Sequence, residues 1–156
     1  METSHEHKHV ALIAACVGVS VAELVVMQAL RGGSKHTSKQ RVEFLAEILL
    51  APAENVTVAK VEKMERVYGL NSVRNSEIRF RWLRIGLKAR WVDAIPRAIA
   101  MATEQGRMNF TRPLFRDLYA WEEARSSAIM AFEANRPNMH STTASLVAKD
   151  MNINQV

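Results

Sequence analysis

Residues able to cap a helix recur through this chain near 38, 57, 76, 93 and 111, each followed by apolar residues at helical spacing. The interval is about nineteen residues, one helix and one turn, so helix pairs recur every ~38 residues, close to the period of stacked helical-pair repeats. Few folds satisfy that rhythm. Six glycines and four prolines are too few turn formers for an all-β domain. Ala, Leu, Glu, Arg, Met and Lys, all strong helix formers, dominate instead. The expectation is an all-α fold of antiparallel helices in two layers. No residue-level repeat signature accompanies the spacing.

The individual helices can be read in order. Thr37 or Ser38 opens the first, with Val42, Leu45, Ile48 and Leu49 on one face and Ala51-Pro52 at its end. Thr57 opens the second, with Val61, Met64 and Val67 at helical spacing, and Gly69 stops it. Asn75 or Ser76 opens the third, with Glu77 in the first turn, where the helix dipole favours an acid. Ile78, Trp82, Ile85 and Ala89 line one face of this helix, and Phe80, Leu83 and Leu87 line another. It is therefore buried on two sides, with arginines emerging between. Asp93 opens the fourth, with Pro96 in its first turn, Ile95, Ile99 and Ala102 behind, and Gly106 closing it. Thr111 opens a fifth, with Pro113 early, that runs to about Asn135. Arg136-Pro137 separates it from a short last helix near residues 139–149.

A chain of 156 residues suits one domain. No boundary is expected between Thr37 and residue 151; residues 152–156 read as a tail. The net charge is +5, but acids are interspersed, so a solvated mixed-charge surface is expected rather than a polyanion-binding face. Arg74, Arg79, Arg81, Arg84, Lys88 and Arg90 alternate with Phe80, Trp82 and Trp91, a pattern also used to bind single-stranded nucleic acid. The helical periodicity assigns them instead to the rims of a buried helix, and no nucleic-acid partner is expected. His140 stands alone and reads as a packing or capping residue. Cys16 is the single cysteine, so no disulfide forms within the chain, which fits a reducing, cytoplasmic setting.

Residues 1–36 differ from the rest. An uncharged run, VALIAACVGVSVA, spans 10–22 and is followed by Glu23 and LVVMQAL. It can be a packed helix over 10–30 ended by Gly32 and Gly33, a secretory segment cleaved after Ala22, or a membrane anchor over 10–30. Glu23 and Gln28 argue against a span, and the acidic start of the chain argues against a secretory leader. His5-Glu6-His7-Lys8-His9 matches the H-E-x-x-H zinc pattern, which needs a helix to aim both histidines at one metal. In a terminus so rich in histidine the match is expected by chance, and no metal site is assigned.

Three stretches carry a resemblance: NSEIRFRWLR at 75–84, the run from W-x-DAIP to FTRPLF-x-DL at 91–118, and MH with T-A-x-LV-x-KD at 139–150. In these the chain, from about Ser38 to Met151, resembles the C-terminal helical domain of the leukotriene A-4 hydrolase and aminopeptidase B group of zinc aminopeptidases. Residues 1–36 do not. The resemblance implies an armadillo- or HEAT-like solenoid that packs against a zinc catalytic domain, in cis or in trans, and walls one side of its active-site cleft. The zinc, its ligands and the general base would belong to that catalytic domain, whose G-x-M-E-N segment is missing here. The third zinc ligand of such enzymes would fall at Gln28, a poor ligand, so no catalytic residue is expected in this chain and it should be inactive alone.

One functional position carries over. The resemblance places at Arg107, in GRMNFTRP, the arginine that binds the carboxylate of a peptide or of a fatty-acid epoxide. A guanidinium suits that task, being always charged and offering a planar fork of donors. The supporting lysine of the group corresponds to Asn109, which can hydrogen-bond but adds no charge. From the residues alone, Arg107 is equally a cation favoured by the dipole at the C-terminal end of the preceding helix, or one half of a surface ion pair. The alternative reading of the whole chain is a stand-alone helical scaffold, which would expose an apolar patch along residues 75–118.

Overall fold

The structure is a computed structural model, and it describes residues 38–104 and 106–153. The readings made for His5 to His9, Cys16, the apolar run at 10–30 and the Thr37 cap lie outside the described residues. The described residues form seven α-helices, three single 3-10 turns and no strand. They fall into two compact units that meet in sequence between Ala89 and Arg90.

The first unit holds α1 (Ser38–Leu50), α2 (Val58–Tyr68) and α3 (Ser76–Lys88), with 3-10 turns at Ala53–Asn55 and Leu70–Ser72. α3 packs on α1 and carries the centre of the core. Ile78, Phe80, Trp82, Leu83, Ile85 and Leu87 are all buried, against Phe44 and Leu45 from α1 and Val61 from α2. Both apolar faces read from the sequence are therefore covered. The caps also stand where the sequence puts them. The Thr57 side chain accepts from the Lys60 amide at 3.4 Å. Asn75 Oδ1 accepts from the Glu77 and Ile78 amides at 3.0 and 3.3 Å. Gly69 ends α2 with φ 57° and ψ 42°, a left-handed conformation that favours glycine.

Two tertiary contacts add to this. Trp82 is buried, and its indole N–H donates to Asn71 Oδ1 at 2.9 Å, while the Asn71 amide donates to Glu65 at 2.8 Å. This satisfies a polar group that would otherwise cost a few kcal/mol to bury. Lys88, in the last turn of α3, donates from Nζ to the carbonyl of Leu49 at 2.6 Å and to that of Ala51. The ammonium thus closes the C-terminal end of α1, where free carbonyls and the dipole both favour a cation.

The second unit holds α4 (Ala94–Glu104), α5 (Met108–Ala120), α6 (Glu122–Asn135) and α7 (Ser141–Asp150), with a 3-10 turn at Arg136–Asn138. α5 is its centre and packs on α4, α6 and α7. Phe110, Thr111, Leu114, Phe115 and Leu118 form one buried stripe on α5. Ala98, Met101 and Ala102 from α4, Ala124, Ala128 and Phe132 from α6, and Val147, Ala148 and Met151 beside α7 are buried as well. Phe115 and Phe132 meet edge to face at 5.8 Å.

The fifth helix departs from expectation twice. Thr111 does not cap it; the helix starts at Met108, and Thr111 lies buried within it. The physical reason is the stripe: a start at Met108 lets Phe110 join Leu114 and Leu118 on the buried side. Pro113 is consequently inside the helix rather than early in it. Nor does the helix reach Asn135. Trp121 is extended, with φ −96° and ψ 115°, and divides α5 from α6. That break folds α6 back on α5, which buries Ala124, Ala128 and Phe132 instead of carrying them away from the core. The Trp121 ring is buried, with the Arg90 guanidinium 5.4 Å from its centroid. Arg90 itself has φ 62°, an uncommon conformation for a residue with a side chain.

α7 is capped by His140, whose Nδ1 accepts from the Thr142 amide at 3.3 Å, as the capping reading requires. Its last residue, Asp150, takes a bidentate grip from Arg112 of α5 at 2.5 and 3.0 Å and a further hydrogen bond from Arg116 at 3.1 Å. The Arg112 hydrogen bond is the main cause that holds the Asp150 carboxyl below its ordinary range; burial opposes it and Arg116 assists.

Two outcomes follow for stability. Asn75→Ala should cost about 1 kcal/mol in urea unfolding, since two amides at the start of α3 lose their acceptor. The Asp150 carboxyl is more acidic folded than unfolded, so its pairing stabilises above the unfolded value of about 3.9 and is lost as pH falls through the folded one. Asp150→Asn should therefore lower the thermal midpoint at neutral pH, and the gap from the parent should narrow in acid below about pH 4.

Candidate functional site

The end of the segment that links α4 to α5 and the first turn of α5 carry the two residues singled out in the sequence, Arg107 and Asn109. The end of α4 is tied down: Thr103 Oγ1 donates to the Ile99 carbonyl at 2.9 Å, and Asn135 of α6 donates to the Thr103 carbonyl at 3.4 Å. Gly106 and Arg107 follow, both exposed. Gly106 does not have a positive φ, and a Cβ built on it would meet nothing within 4 Å. Space alone therefore does not require glycine there, and the helix ends at Glu104, just before it, as the sequence reading expects.

Arg107 is the N-cap residue of α5, in an extended conformation with φ −83° and ψ 115°. Its carbonyl accepts from the Phe110 and Thr111 amides, both at 3.0 Å, which starts the helix. Its guanidinium lies 6.0 Å from the centroid of the Phe110 ring. Asn109 is exposed in the first turn. The sequence alone allowed Arg107 to be a cation settled at a helix C-terminus. Its place is the opposite one, since an N-terminus carries positive partial charge. A cation gains nothing from the dipole there, whereas an anion beside Arg107 would be favoured by the helix end and the guanidinium together. No side chain caps α5 and its first turn holds no acid.

The arginines of α3 sit on its rims. Arg81 pairs with Glu77 at 2.6 Å, and the Arg84 guanidinium lies 5.6 Å from the Phe80 ring centroid. Among the described residues, no three His, Cys, Asp or Glu side chains gather as a metal site. No helix among them is long and apolar enough to cross a membrane. Along 75–118 the large exposed hydrophobics are Val92 and Met108. Arg90, Asp93, Arg97, Glu104 and Arg107, near them in sequence, are exposed as well.

With that geometry in place, likeness to known proteins can be judged. Residues 36–151 match the family model described as leukotriene A4 hydrolase, C-terminal. The chain belongs to this family. It is 55% identical over 117 residues to leukotriene A-4 hydrolase of Xenopus laevis, covering 75% of this chain and 19% of that protein. It is 36% identical over 116 residues to leucine aminopeptidase 2 of Emericella nidulans, covering 74% of this chain and 18% of that one. Against leucine aminopeptidase 2 of Neurospora crassa the identity is 30% over 102 residues, covering 65% and 15%. The chain thus spans less than a fifth of the length of these relatives. The match to the leukotriene A4 hydrolase C-terminal family includes the seven helices of the described residues, with Arg107 and Asn109.

Two features of the second unit escaped the sequence. Nothing marks Arg90 as left-handed, because the usual signal is glycine or asparagine. The corner at Trp121 is likewise silent, because the apolar period runs through it unbroken. Arg107→Ala should shift the unfolding free energy by under about 0.5 kcal/mol, the ordinary range for an exposed site, as measured by urea denaturation.

Proposed function

We propose that this chain acts as the substrate-cleft wall of a zinc aminopeptidase of the leukotriene A4 hydrolase type, and that Arg107 recognises a substrate carboxylate there. The observation that carries this is the position of Arg107: exposed, at the N-terminal end of a 13-residue helix, with no acid in the first turn. A carboxylate held there would receive the guanidinium fork and face the positive end of α5. Asn109, in the first turn, would add a neutral hydrogen bond. Its lack of charge argues for a peptide carboxylate or a fatty-acid carboxylate bound mainly through Arg107.

The reading extends to the whole molecule. Residues 37–151 would form the domain, as an armadillo-like array. Zinc, its ligands and the proteolytic chemistry would belong to a catalytic domain that joins this one in cis or in trans. A cytoplasmic setting suits the single cysteine.

Two measurements test this. The purified chain, with or without added zinc, should show no chelator-sensitive aminopeptidase turnover; such turnover would overturn the division of labour. Joined to a zinc catalytic domain of the family, the chain should support peptide hydrolysis, and Arg107→Ala should raise KM at least about tenfold, a loss of ~1.4 kcal/mol of binding. An unchanged KM for peptides with a free carboxylate would remove Arg107 from recognition.

A further inference from the structure

The methionines of the described residues span a wide range of exposure. Met101 and Met151 lie in the core at 0% and 1%. Met130, on the outer side of α6, is 72% exposed, and Met108, the first residue of α5, is 39% exposed. Met64 and Met139 fall between these extremes. A thioether is soft and polarizable and is oxidised readily once oxidant reaches it. In the core, packed side chains enclose the sulfur and keep oxidant from it.

We propose that Met108 and Met130 are sites of reversible methionine oxidation by hydroperoxides, and that Met108 is the one that alters the candidate site. The sulfur lone pair attacks the nearer peroxide oxygen. The S–O bond forms as the O–O bond breaks, sulfur is oxidised to the sulfoxide, and the leaving oxygen takes a proton and departs as water or an alcohol. Reduction by a thiol-dependent sulfoxide reductase restores the thioether. At Met130 the product adds a polar group to a surface already surrounded by Ser126, Ser127 and Glu133. Met108 stands between Arg107 and Asn109 in sequence, at a helix start that no side chain caps, so its sulfoxide adds a strong acceptor oxygen next to the residues assigned to carboxylate recognition. The oxidation itself does not depend on the carboxylate reading; only its consequence does.

The test is to treat the full chain with dilute hydrogen peroxide under native conditions and follow each methionine by peptide mapping with mass spectrometry. Met108 and Met130 should gain oxygen at least tenfold faster than Met101 and Met151, with Met64 and Met139 between. Unfolding in urea should erase the differences, which shows that packing and not sequence sets them. Met108→Leu should remove oxidation from its peptide and leave the rate at Met130 unchanged. A rate at Met108 within threefold of that at Met101 would overturn the proposal. A rise in peptide KM on oxidation, absent from the Met108→Leu chain joined to a catalytic domain, would tie the modification to the site. No change there, with the rate order intact and Arg107→Ala still raising KM, would overturn the consequence and leave the carboxylate reading standing.

Discussion

Helix ends govern this structure more than helix middles. A helix of ten to fourteen residues spends much of its length at its termini, where four amides and four carbonyls lack intrahelical partners. Thr57, Asn75 and His140 close three N-termini with side-chain acceptors, and Glu122 and Glu123 give α6 negative charge in its first turn. Gly69 turns the chain out of α2, and Lys88 reaches across from α3 to close α1. The start of α5 is served neither by a capping side chain nor by an acid, and it is there that Arg107 stands. A helix end left open by its own residues leaves backbone amides without side-chain acceptors, and the proposed role of Arg107 rests on that.

The cores are built to hold those ends in place. In the first unit, Trp82 anchors α3 to the turn after α2 because its N–H needs an acceptor and Asn71 supplies it. In the second, the aromatic stripe of α5 is surrounded by α4, α6 and α7, and the Arg112 to Asp150 pair fixes α7 along it. A partly covered pair of this kind adds modest stability but strong orientation, since a bidentate fork admits one geometry. The loop with Arg107 therefore extends from a helix held on three sides, with the Asn135 hydrogen bond steadying the end of α4 before it. Exposed residues on a rigid base are the usual form of a recognition site.

Much of this was legible in the residues. The caps at Thr57 and Asn75, the stop at Gly69, the two buried faces of α3 and the capping role of His140 all follow from local chemistry, because each acts within four residues of itself. The stretches at 75–84, 91–118 and 139–150 also sufficed to point to the family. The site was legible as two residue names without a setting. The same Arg107 reads as a C-terminal cation if α5 is taken to start at Thr111, and as the cap of an open N-terminus once it starts at Met108.

The sequence by itself thus determined that the chain is helical, where most of its helices begin and end, and which family it belongs to, since these depend on short-range propensity and on matched residues. Tertiary structure alone decided the break at Trp121, the left-handed Arg90 and the partners of Lys88, Trp82 and Asp150. The reason is physical. The apolar period runs through Phe110, Leu114, Leu118 and Trp121 into Ala124, Ala128 and Phe132 without a fault, so one long helix and a folded-back pair satisfy the pattern equally. Only packing separates them, because only the folded pair buries both halves of the stripe against each other.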